Sequence, residues 1–302
     1  MLNDEQRIRM LEIPQGLVDI VLDTDAYNEI DDQYAISYAL KSRKIQVRAL
    51  YAAPFFNERS LSPANGMERS YEEIERLLKL SGKTAGVFRG SNSYLTDENT
   101  PIFSDAANDL VIRAMQYSTE NPLYIVAIGA ITNVASALLI NQEIADRIVV
   151  VWLGGHALEW PHNAEFNCMQ DIAAARVVFN SGAPIVMLPC MGVVSSFATT
   201  GPELHYWLDN KNQLCDYLVK NTEEAADVYA KGKVWSRVIW DVATIGWLLN
   251  DKNKFELSKL INTPIPQYDH HWSFDSSRPL CRYVYHINRD ALMNDLFSHI
   301  AE

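Results

Sequence analysis

Basic residues are scarce in this chain of 302 residues, where 26 lysines and arginines are outnumbered by 38 aspartates and glutamates. The formal charge of −12 disfavours binding to nucleic acid or to an anionic membrane, because both are polyanions. Glycine and proline are also infrequent, at 13 and 12 residues, while apolar residues make up 48% of the chain. This composition excludes a disordered or collagen-like chain and predicts a globular protein with neither nucleic acid nor membrane as a partner.

Only four cysteines occur, and no two of them form a C-x-x-C pair. A disulfide framework would be denser, and a zinc site would place its ligands closer together, so the sequence favours neither. The first residues also lack the apolar segment of a signal peptide. We therefore expect a cytoplasmic protein with buried, reduced thiols at Cys168, Cys190, Cys215 and Cys281.

Long apolar runs are absent with one near exception, the almost uncharged stretch 122–140. Gly129 and the Thr132-Asn133 pair interrupt this stretch in the way typical of a strand, a tight turn and a helix start. We interpret it as buried core rather than as a membrane span.

Short, continuous apolar runs alternate along the chain with longer amphipathic segments, a pattern typical of βαβ units around a parallel sheet. The pattern predicts strands at 17–22, 45–52, 85–88, 123–128, 148–153 and 185–188. Helices are predicted at 31–41, 67–80, 105–117, 133–139 and 171–180.

The last third of the sequence is predicted to be mainly helical between residues 201 and 250, followed by a strand at 281–287 and a helix from about Asp290. No linker or internal repeat separates these parts. We predict a single α/β domain over residues 1–302, with a doubly wound, mostly parallel, Rossmann-like sheet, helical insertions in the C-terminal third and an extension at 1–16. Ligands of such sheets bind at the carboxyl ends of the strands.

The strongest signal is acidic and follows the first predicted strand directly. Asp23-Thr24-Asp25 ends that strand, and Asp31-Asp32 opens the next helix. Aspartates at a helix start commonly act only as caps, but this does not account for the first pair. Because carboxylates that converge in a desolvated place repel one another, the cluster predicts a bound hard cation, Ca²⁺ or Mg²⁺ rather than zinc.

Two architectures place a D-x-D pair after such a strand. Haloacid-dehalogenase-like phosphatases follow it with x-[TV], whereas this chain has Tyr27 there. The chain resembles instead the inosine–uridine nucleoside hydrolase family, whose opening strand runs into D-x-D-x-x-x-D-D. Further segments are similar to that family in the same order: V-A-I-G-A-I-T-N at 126–133, G-G at 154–155, A-E-F-N at 164–167, D-I-A-A-A at 171–175 and W-D-V-A at 240–243.

The resemblance implies the nucleoside hydrolase fold and an enzyme that hydrolyses the N-glycosidic bond of ribonucleosides, with Ca²⁺ as cofactor and a homo-oligomeric assembly, dimer or tetramer. Asp25 would be the general base that takes a proton from a Ca²⁺-activated water, with Asp23 supporting that loop. Carried onto matching positions, the Ca²⁺ ligands would be Asp25, Asp32, the carbonyl of Ile128, and Asp241. The ribose would be held by Asp31, Asn57, Glu165 and Asn167, with Asn167 also fixing the reacting geometry.

This assignment agrees with elementary chemistry. Cleavage of a glycosidic bond builds positive charge on the sugar, and an acidic, water-excluded pocket stabilises that charge. The negative net charge and the lack of a glycine-rich or basic phosphate cradle favour neutral nucleosides over nucleotides.

Three features depart from the family pattern. Five residues instead of three separate Asp25 from Asp31, and either Glu159 or Asn163 stands for the Asn that precedes A-E-F-N.

Trp240 occupies the position of a His that helps the leaving base depart, and an indole N–H is not a practical acid. We expect Trp240 to stack on the base and to favour purines, with Tyr229 or solvent supplying the proton; core packing of Trp240 is the alternative.

Three hypotheses remain open from the sequence. The first is a Ca²⁺-dependent ribonucleoside hydrolase, the second a Ca²⁺-dependent sugar-binding protein without catalysis, and the third a phosphatase of the haloacid-dehalogenase kind. Metal identity separates the first from the third, and turnover separates the first from the second.

Overall fold

A central sheet of eight strands organises the computed structural model, which describes residues 2–302. Its strand order is β3-β2-β1-β4-β5-β6-β12-β9, in which all neighbours pair in parallel except β9, which pairs antiparallel with β12 at one edge. The strands of this sheet are β1 Val18–Thr24, β2 Ile45–Ala52, β3 Gly86–Arg89, β4 Leu123–Ala127, β5 Ile148–Leu153, β6 Ile185–Leu188, β9 Glu256–Asn262 and β12 Leu280–Ile287.

Two short pairs, β7 Ala198–Thr199 with β8 Arg237–Val238 and β10 Ile265–Pro266 with β11 Trp272–Ser273, lie outside this sheet. The helices are α1 Asp4–Met10, α2 Asp31–Lys41, α3 Pro63–Ser81, α4 Asp105–Ala114, α5 Thr132–Ile140, α6 Phe166–Gln170, α7 Ile172–Asn180, α8 Gly201–Leu208, α9 Gln213–Ala230, α10 Val242–Leu248 and α11 Arg289–Ile300.

The continuous apolar runs form strands that are buried on both faces. In β1, Ile20 and Leu22 contribute to one apolar cluster, which also contains residues of α2, α10 and α11, whereas Val21 contributes to a second cluster with residues of α4, α5 and α7. Neighbouring side chains of a strand point to opposite faces, so helices cover both sides of the sheet. The predicted doubly wound, mostly parallel α/β fold is therefore confirmed.

Most predicted elements agree with the structure to within a few residues, and the largest shift has a local cause. Helix α3 begins at Pro63 rather than near residue 67, because Ser62 caps it by accepting a hydrogen bond from the Asn65 amide, and proline suits the first helical turn. The stretch 122–140 forms β4, a turn and α5, as expected. No helix among residues 2–302 combines the length and apolarity needed to cross a membrane.

The sequence pattern did not predict β9, the antiparallel edge strand. After the buried Glu256 its side chains are half-buried or exposed and include Lys259, so the strand carries no long apolar run. Edge strands are commonly short of apolar residues, since one side faces solvent. The predicted strand at 281–287 is confirmed as β12, and the four cysteines are free and buried, as expected.

The sheet has a topological switch point between β1 and β4. From this point the chain order runs outward in both directions, through β2 and β3 on one side and through β5 and β6 on the other. Loops that leave the carboxyl ends of β1 and β4 therefore diverge and open a crevice. The acidic residues after β1 lie at this crevice.

Glu256, at the start of β9, is a buried carboxyl group away from that crevice. It is 1% exposed, and neither of its carboxyl oxygens has a hydrogen-bond partner among the described residues. Burial raises the pKa of Glu256 well above its ordinary value of 4.5. The pKa of Glu256 is thus higher in the folded than in the unfolded state. Its contribution to the free energy of unfolding is therefore fully present below about pH 4.5 and is lost as the pH rises through the folded-state pKa.

We therefore predict that Glu256→Gln gains stability relative to the wild type as the pH rises from 5 to 8. The amide cannot ionise, whereas the wild-type carboxyl costs up to about 1.4 kcal/mol per pH unit over this range. Urea unfolding of both proteins at several pH values measures the difference. A difference that does not change with pH would contradict the prediction, since the other titrating groups are common to both proteins.

Candidate metal and sugar site

Asp23, the last acidic residue inside β1, is fully buried and lies behind the crevice rather than in it. Its carboxylate accepts a hydrogen bond from Nδ2 of Asn133 at 2.8 Å, and its carbonyl accepts one from the amide of Ile128 at 2.8 Å. Burial raises the pKa of Asp23 to about 7. Asp23 thus joins the ends of β1 and β4, and Asn133 of the I-T-N motif serves as its partner.

Three aspartates from two separate parts of the chain form the centre of the crevice. Asp31 and Asp32 begin α2, and Asp241 immediately precedes α10. One carboxylate oxygen from each lies within 4.8 Å of the others, and all three residues are buried. Helices α2 and α10 pack against each other, and this contact brings Asp241 together with Asp31, which lies 210 positions earlier in the sequence.

Asp25 lies in the loop between β1 and α2 and lines the same crevice. Burial raises its pKa well above the ordinary value, and the neighbouring carboxylates of Asp32 and Asp31 raise it further. The pKa of Asp241 is raised by burial and by the same two neighbours. These groups repel one another in a place with little water, so their common ionisation is unfavourable without a cation.

The carboxylate oxygens fit a hard divalent cation. Oδ2 of Asp25 and Oδ1 of Asp31 are buried and have no hydrogen-bond partner among the described residues. Thr24 donates from its hydroxyl to Oδ1 of Asp32, which orients that carboxylate. A buried set of oxygen donors without nitrogen or sulfur suits Ca²⁺ or Mg²⁺.

The turn after β4 closes against this cluster. Ile128 lines the crevice, and Gly129 follows it so closely that a Cβ atom there would lie 3.1 Å from Cγ of Asp25. Only glycine allows this approach without displacing the Asp25 side chain. The glycine of the A-I-G-A-I-T-N motif is therefore explained by contact with an acidic residue.

Glu165 and Asn167, at the start of α6, line the same crevice. Glu165 caps this helix, because its carboxylate accepts hydrogen bonds from the amides of Asn167, Cys168 and Gly155 at 3.0, 2.9 and 2.8 Å. Asn167 donates from Nδ2 to the carbonyl of Leu153 at 3.1 Å. Both residues line the crevice, so their structural roles leave them available to a ligand as well.

A cavity of about 210 Å³ unites these residues. Trp240 is half-buried and forms part of its wall, and the same side chain packs against the apolar cluster that contains residues of α2 and α10. No lysine or arginine is found among the described lining residues, which are Asp25, Asn28, Glu29, Asp31, Asp32, Ile128, Leu153, His156, Ala164, Glu165, Phe166, Asn167, Cys190, Met191, Trp240 and Asp241.

Asn57, expected to hold ribose, is not among those lining residues. Its Nδ2 donates to Oδ1 of Asn28 at 2.6 Å, and it is Asn28 that reaches the cavity. Asn28 and Glu29 belong to the longer spacing between the two aspartate pairs, and Glu29 forms an ion pair with Arg237. The extra length of this loop thus places two additional polar side chains at the site.

Three other residues named from the sequence do not line the cavity. Asn163 is buried behind it, where Oδ1 accepts from the amide of His156 at 2.7 Å. Glu159 is exposed and accepts from the Tyr283 hydroxyl at 3.4 Å. Tyr229 lines an adjoining cavity with Asn57 and Arg237.

His156 is the lining residue that sequence reasoning missed. A single loop histidine is ordinarily a surface residue, yet this one is only 8% exposed. The available signal was its position directly after Gly154-Gly155 at the end of a predicted strand, where a parallel sheet places its ligands. Cys190 and Met191, just after β6, were missed in the same way.

The arrangement of this site and fold identifies a class of proteins. The chain belongs to the family of inosine-uridine preferring nucleoside hydrolases, whose family model matches residues 20–293. The resemblance noted from the sequence motifs is thereby confirmed, and the phosphatase hypothesis is no longer needed.

Individual relatives are more distant. The chain is similar to the pyrimidine-specific ribonucleoside hydrolase RihA of Salmonella paratyphi B, with 31% identity over 152 residues, 48% of each chain. It is 28% identical to the RihA of Escherichia coli O1:K1 over 188 residues, 56% of this chain and 58% of the relative. The chain thus matches about half the length of these curated relatives.

The fold likeness extends further than the sequence likeness. A purine-preferring ribonucleoside hydrolase from Gardnerella vaginalis has a TM-score of 0.77 at 20% identity, covering 94% of this chain and 98% of that one. At this identity the comparison shows a shared fold.

For the metal-free protein we predict that Asp25→Asn raises the melting temperature and reduces the further rise produced by Ca²⁺. The substitution keeps the shape of the side chain while removing one of several repelling charges and one cation donor. Thermal unfolding with EDTA and with added Ca²⁺ measures both effects. Asp269→Asn, at an exposed position, is the matched control and should behave like the wild type. An unchanged Ca²⁺-induced rise in Asp25→Asn would remove Asp25 from the cation site.

Proposed function

We propose that this protein hydrolyses the N-glycosidic bond of ribonucleosides, giving ribose and a free base, with Ca²⁺ as its cofactor. The observation that carries the proposal is the group of buried carboxylates, with unpartnered oxygens, in a cavity that Glu165 and Asn167 also line. Membership of the nucleoside hydrolase family supports it.

In this proposal Asp25, Asp32, Asp241 and the carbonyl of Ile128 hold the cation. When bound, the cation supplies a positive charge that orients the vicinal diol of ribose and makes an attacking water more acidic. Asp31 accepts a hydrogen bond from a ribose hydroxyl through Oδ1, which has no partner in the protein. The carboxylates also stabilise the positive charge that develops on the sugar as the bond breaks.

Asp25 is the proposed general base. Its Oδ2 is free of protein hydrogen bonds and its carboxyl group lines the cavity, so it can accept the proton of the attacking water. Asn167 is proposed to orient the sugar by accepting a hydrogen bond at Oδ1. Its Nδ2 is held by the Leu153 carbonyl, and its Oδ1 has no protein partner among the described residues.

Trp240 is proposed to stack on the leaving base, because the partly buried ring lines the cavity beside Asp241. Stacking on an aromatic ring is worth about 1–3 kcal/mol per base. Purines offer the larger face and a basic N7, so we propose a preference for purine nucleosides, with solvent as the source of the proton.

We predict that 2′-deoxyribonucleosides are cleaved on the order of 10²-fold less efficiently than ribonucleosides. Removing the 2′-hydroxyl removes a cation ligand and leaves buried carboxylate oxygens unpaired. The measurement is kcat/KM with Ca²⁺ on inosine and 2′-deoxyinosine, and on uridine and 2′-deoxyuridine. Equal efficiencies would count against the diol site, and Ca²⁺-dependent ribose binding without turnover would favour the sugar-binding hypothesis.

For Trp240→Ala we predict a larger fall in kcat on inosine than on uridine. The indole stacks more extensively on a purine, so its loss costs more when a purine leaves. Trp240→Phe, which keeps an aromatic face, is the matched control and should retain part of the purine preference. Equal losses on both nucleosides, or a fall in melting temperature alone, would assign Trp240 to packing.

A further inference from the structure

The described residues that line the cavity include no side chain suited to give a proton to a leaving base. Trp240 stands where the family pattern has a histidine, and an indole N–H is not a practical acid. Burial lowers the pKa of His156 to about 4, so its imidazole is uncharged at neutral pH. Burial also raises the pKa of the Cys190 thiol well above its ordinary value, and Tyr229 is not one of the lining residues.

The same cavity has an excess of negative charge, since none of its described lining residues is a lysine or an arginine. Six lining residues carry carboxyl groups: Asp25, Glu29, Asp31, Asp32, Glu165 and Asp241. A divalent cation compensates two of these charges, and Arg237, which lines the adjoining cavity and pairs with Glu29, compensates one. Ribose is neutral, so the occupied site stays negative and attracts a positively charged ligand.

Both features favour one kind of leaving group. A neutral base leaves as an anion unless a proton reaches it, whereas a heterocycle that is already positive leaves as a neutral molecule. In the hydrolysis of such a riboside the water oxygen bonds to C1′, and the proton of the water passes to Asp25. The electron pair of the C1′–N bond moves to the ring nitrogen and cancels its charge. No proton donor is needed on the leaving group, and the face of an aromatic ring such as Trp240 attracts a cation.

We propose that this site selects ribosides whose leaving heterocycle already carries a positive charge, such as N-pyridinium ribosides and N7-alkylated purine ribosides. The inference rests on the proposed function and names its substrate class. Glu29, which the longer loop contributes, adds negative charge to the cavity wall. Trp240 removes the acid of the family pattern and adds an aromatic face. The two departures from that pattern thus have a common explanation.

The first measurement compares 1-(β-D-ribofuranosyl)pyridinium with inosine as substrates of the wild type in Ca²⁺. We expect kcat/KM for the pyridinium riboside to exceed that for inosine on the order of 10²-fold or more, because general acid catalysis commonly contributes that much and inosine lacks it here. Comparable efficiencies on the two substrates would overturn the proposal, since they would mean that the site activates a neutral base as well as a charged one.

The second measurement isolates the charge, with β-D-ribofuranosylbenzene as an uncharged C-riboside of the same shape that is not cleaved. At low ionic strength Glu29→Gln should raise KM for the pyridinium riboside about threefold or more. The inhibition constant of the C-riboside should stay within about twofold. Glu143→Gln is the matched control, because Glu143 is exposed and lies before β5, at the amino end of that strand. It should behave like the wild type, and equal effects of Glu29→Gln on both ligands would overturn the proposal.

A failure of the proposed hydrolysis is distinguishable from a failure of this inference. Cleavage of inosine without a preference for the pyridinium riboside leaves hydrolysis standing and overturns only the inference. If the wild type cleaves neither riboside in Ca²⁺, hydrolysis is wrong, and the melting-temperature shifts with the pyridinium riboside and the C-riboside measure binding instead. A larger shift for the cation that decreases in Glu29→Gln supports the selection of charge. Equal shifts in the wild type, or a difference that the variant keeps in full, overturn it.

Discussion

Repulsion among buried carboxylates at the switch point between β1 and β4 is the constraint on which the site depends. The sheet topology opens a crevice there, and the chain fills it with acidic groups whose pKa values are raised by burial and by one another. Hydrogen bonds from Thr24 and Asn133 each satisfy one oxygen, of Asp32 and Asp23. Oδ2 of Asp25 and Oδ1 of Asp31 are left without partners among the described residues, in side chains that line the cavity. Burying these oxygens unpaired costs stability in the metal-free protein.

The fold was largely predictable because the central strands are continuous apolar runs and several helices begin at recognisable caps. Asp171 shows this well, since it caps α7 by accepting from the Ala174 amide, and Gly182 follows the end of the helix with a positive φ. The strand β9 was not predictable, since an edge strand needs no apolar run. The position of β9 is determined by its pairing with β12, a long-range contact that the hydrophobic pattern of the sequence around β9 does not reveal.

The site was predictable only where motifs have a fixed spacing. The aspartates and the A-E-F-N segment were found because their spacing resembles that of a known family, and all of these residues except Asp23 line the cavity. Asn57, whose segment is less similar to the family, does not line it. His156 has no such partner in sequence. Its burial results from contacts with residues as distant as Met191, which approach only when β5 and β6 pair. His156 is therefore buried in the cavity wall because of long-range packing and not because of the residues next to it in the sequence.

The lengthened loop between Asp25 and Asp31 brings its own charge compensation. Glu29 adds a carboxylate to the cavity and raises the pKa of Asp31, but Arg237 pairs with Glu29 and acts on Asp31 in the opposite direction. Glu29 also raises the pKa values of Asp25, Asp32 and Asp241, so Arg237 compensates the added charge only in part. Since Arg237 belongs to β8, three residues before Trp240, this pair also connects the acidic loop to the segment that contains Trp240. The loop thus extends the wall of the cavity with Asn28 and with a carboxylate, Glu29, that is already paired with an arginine.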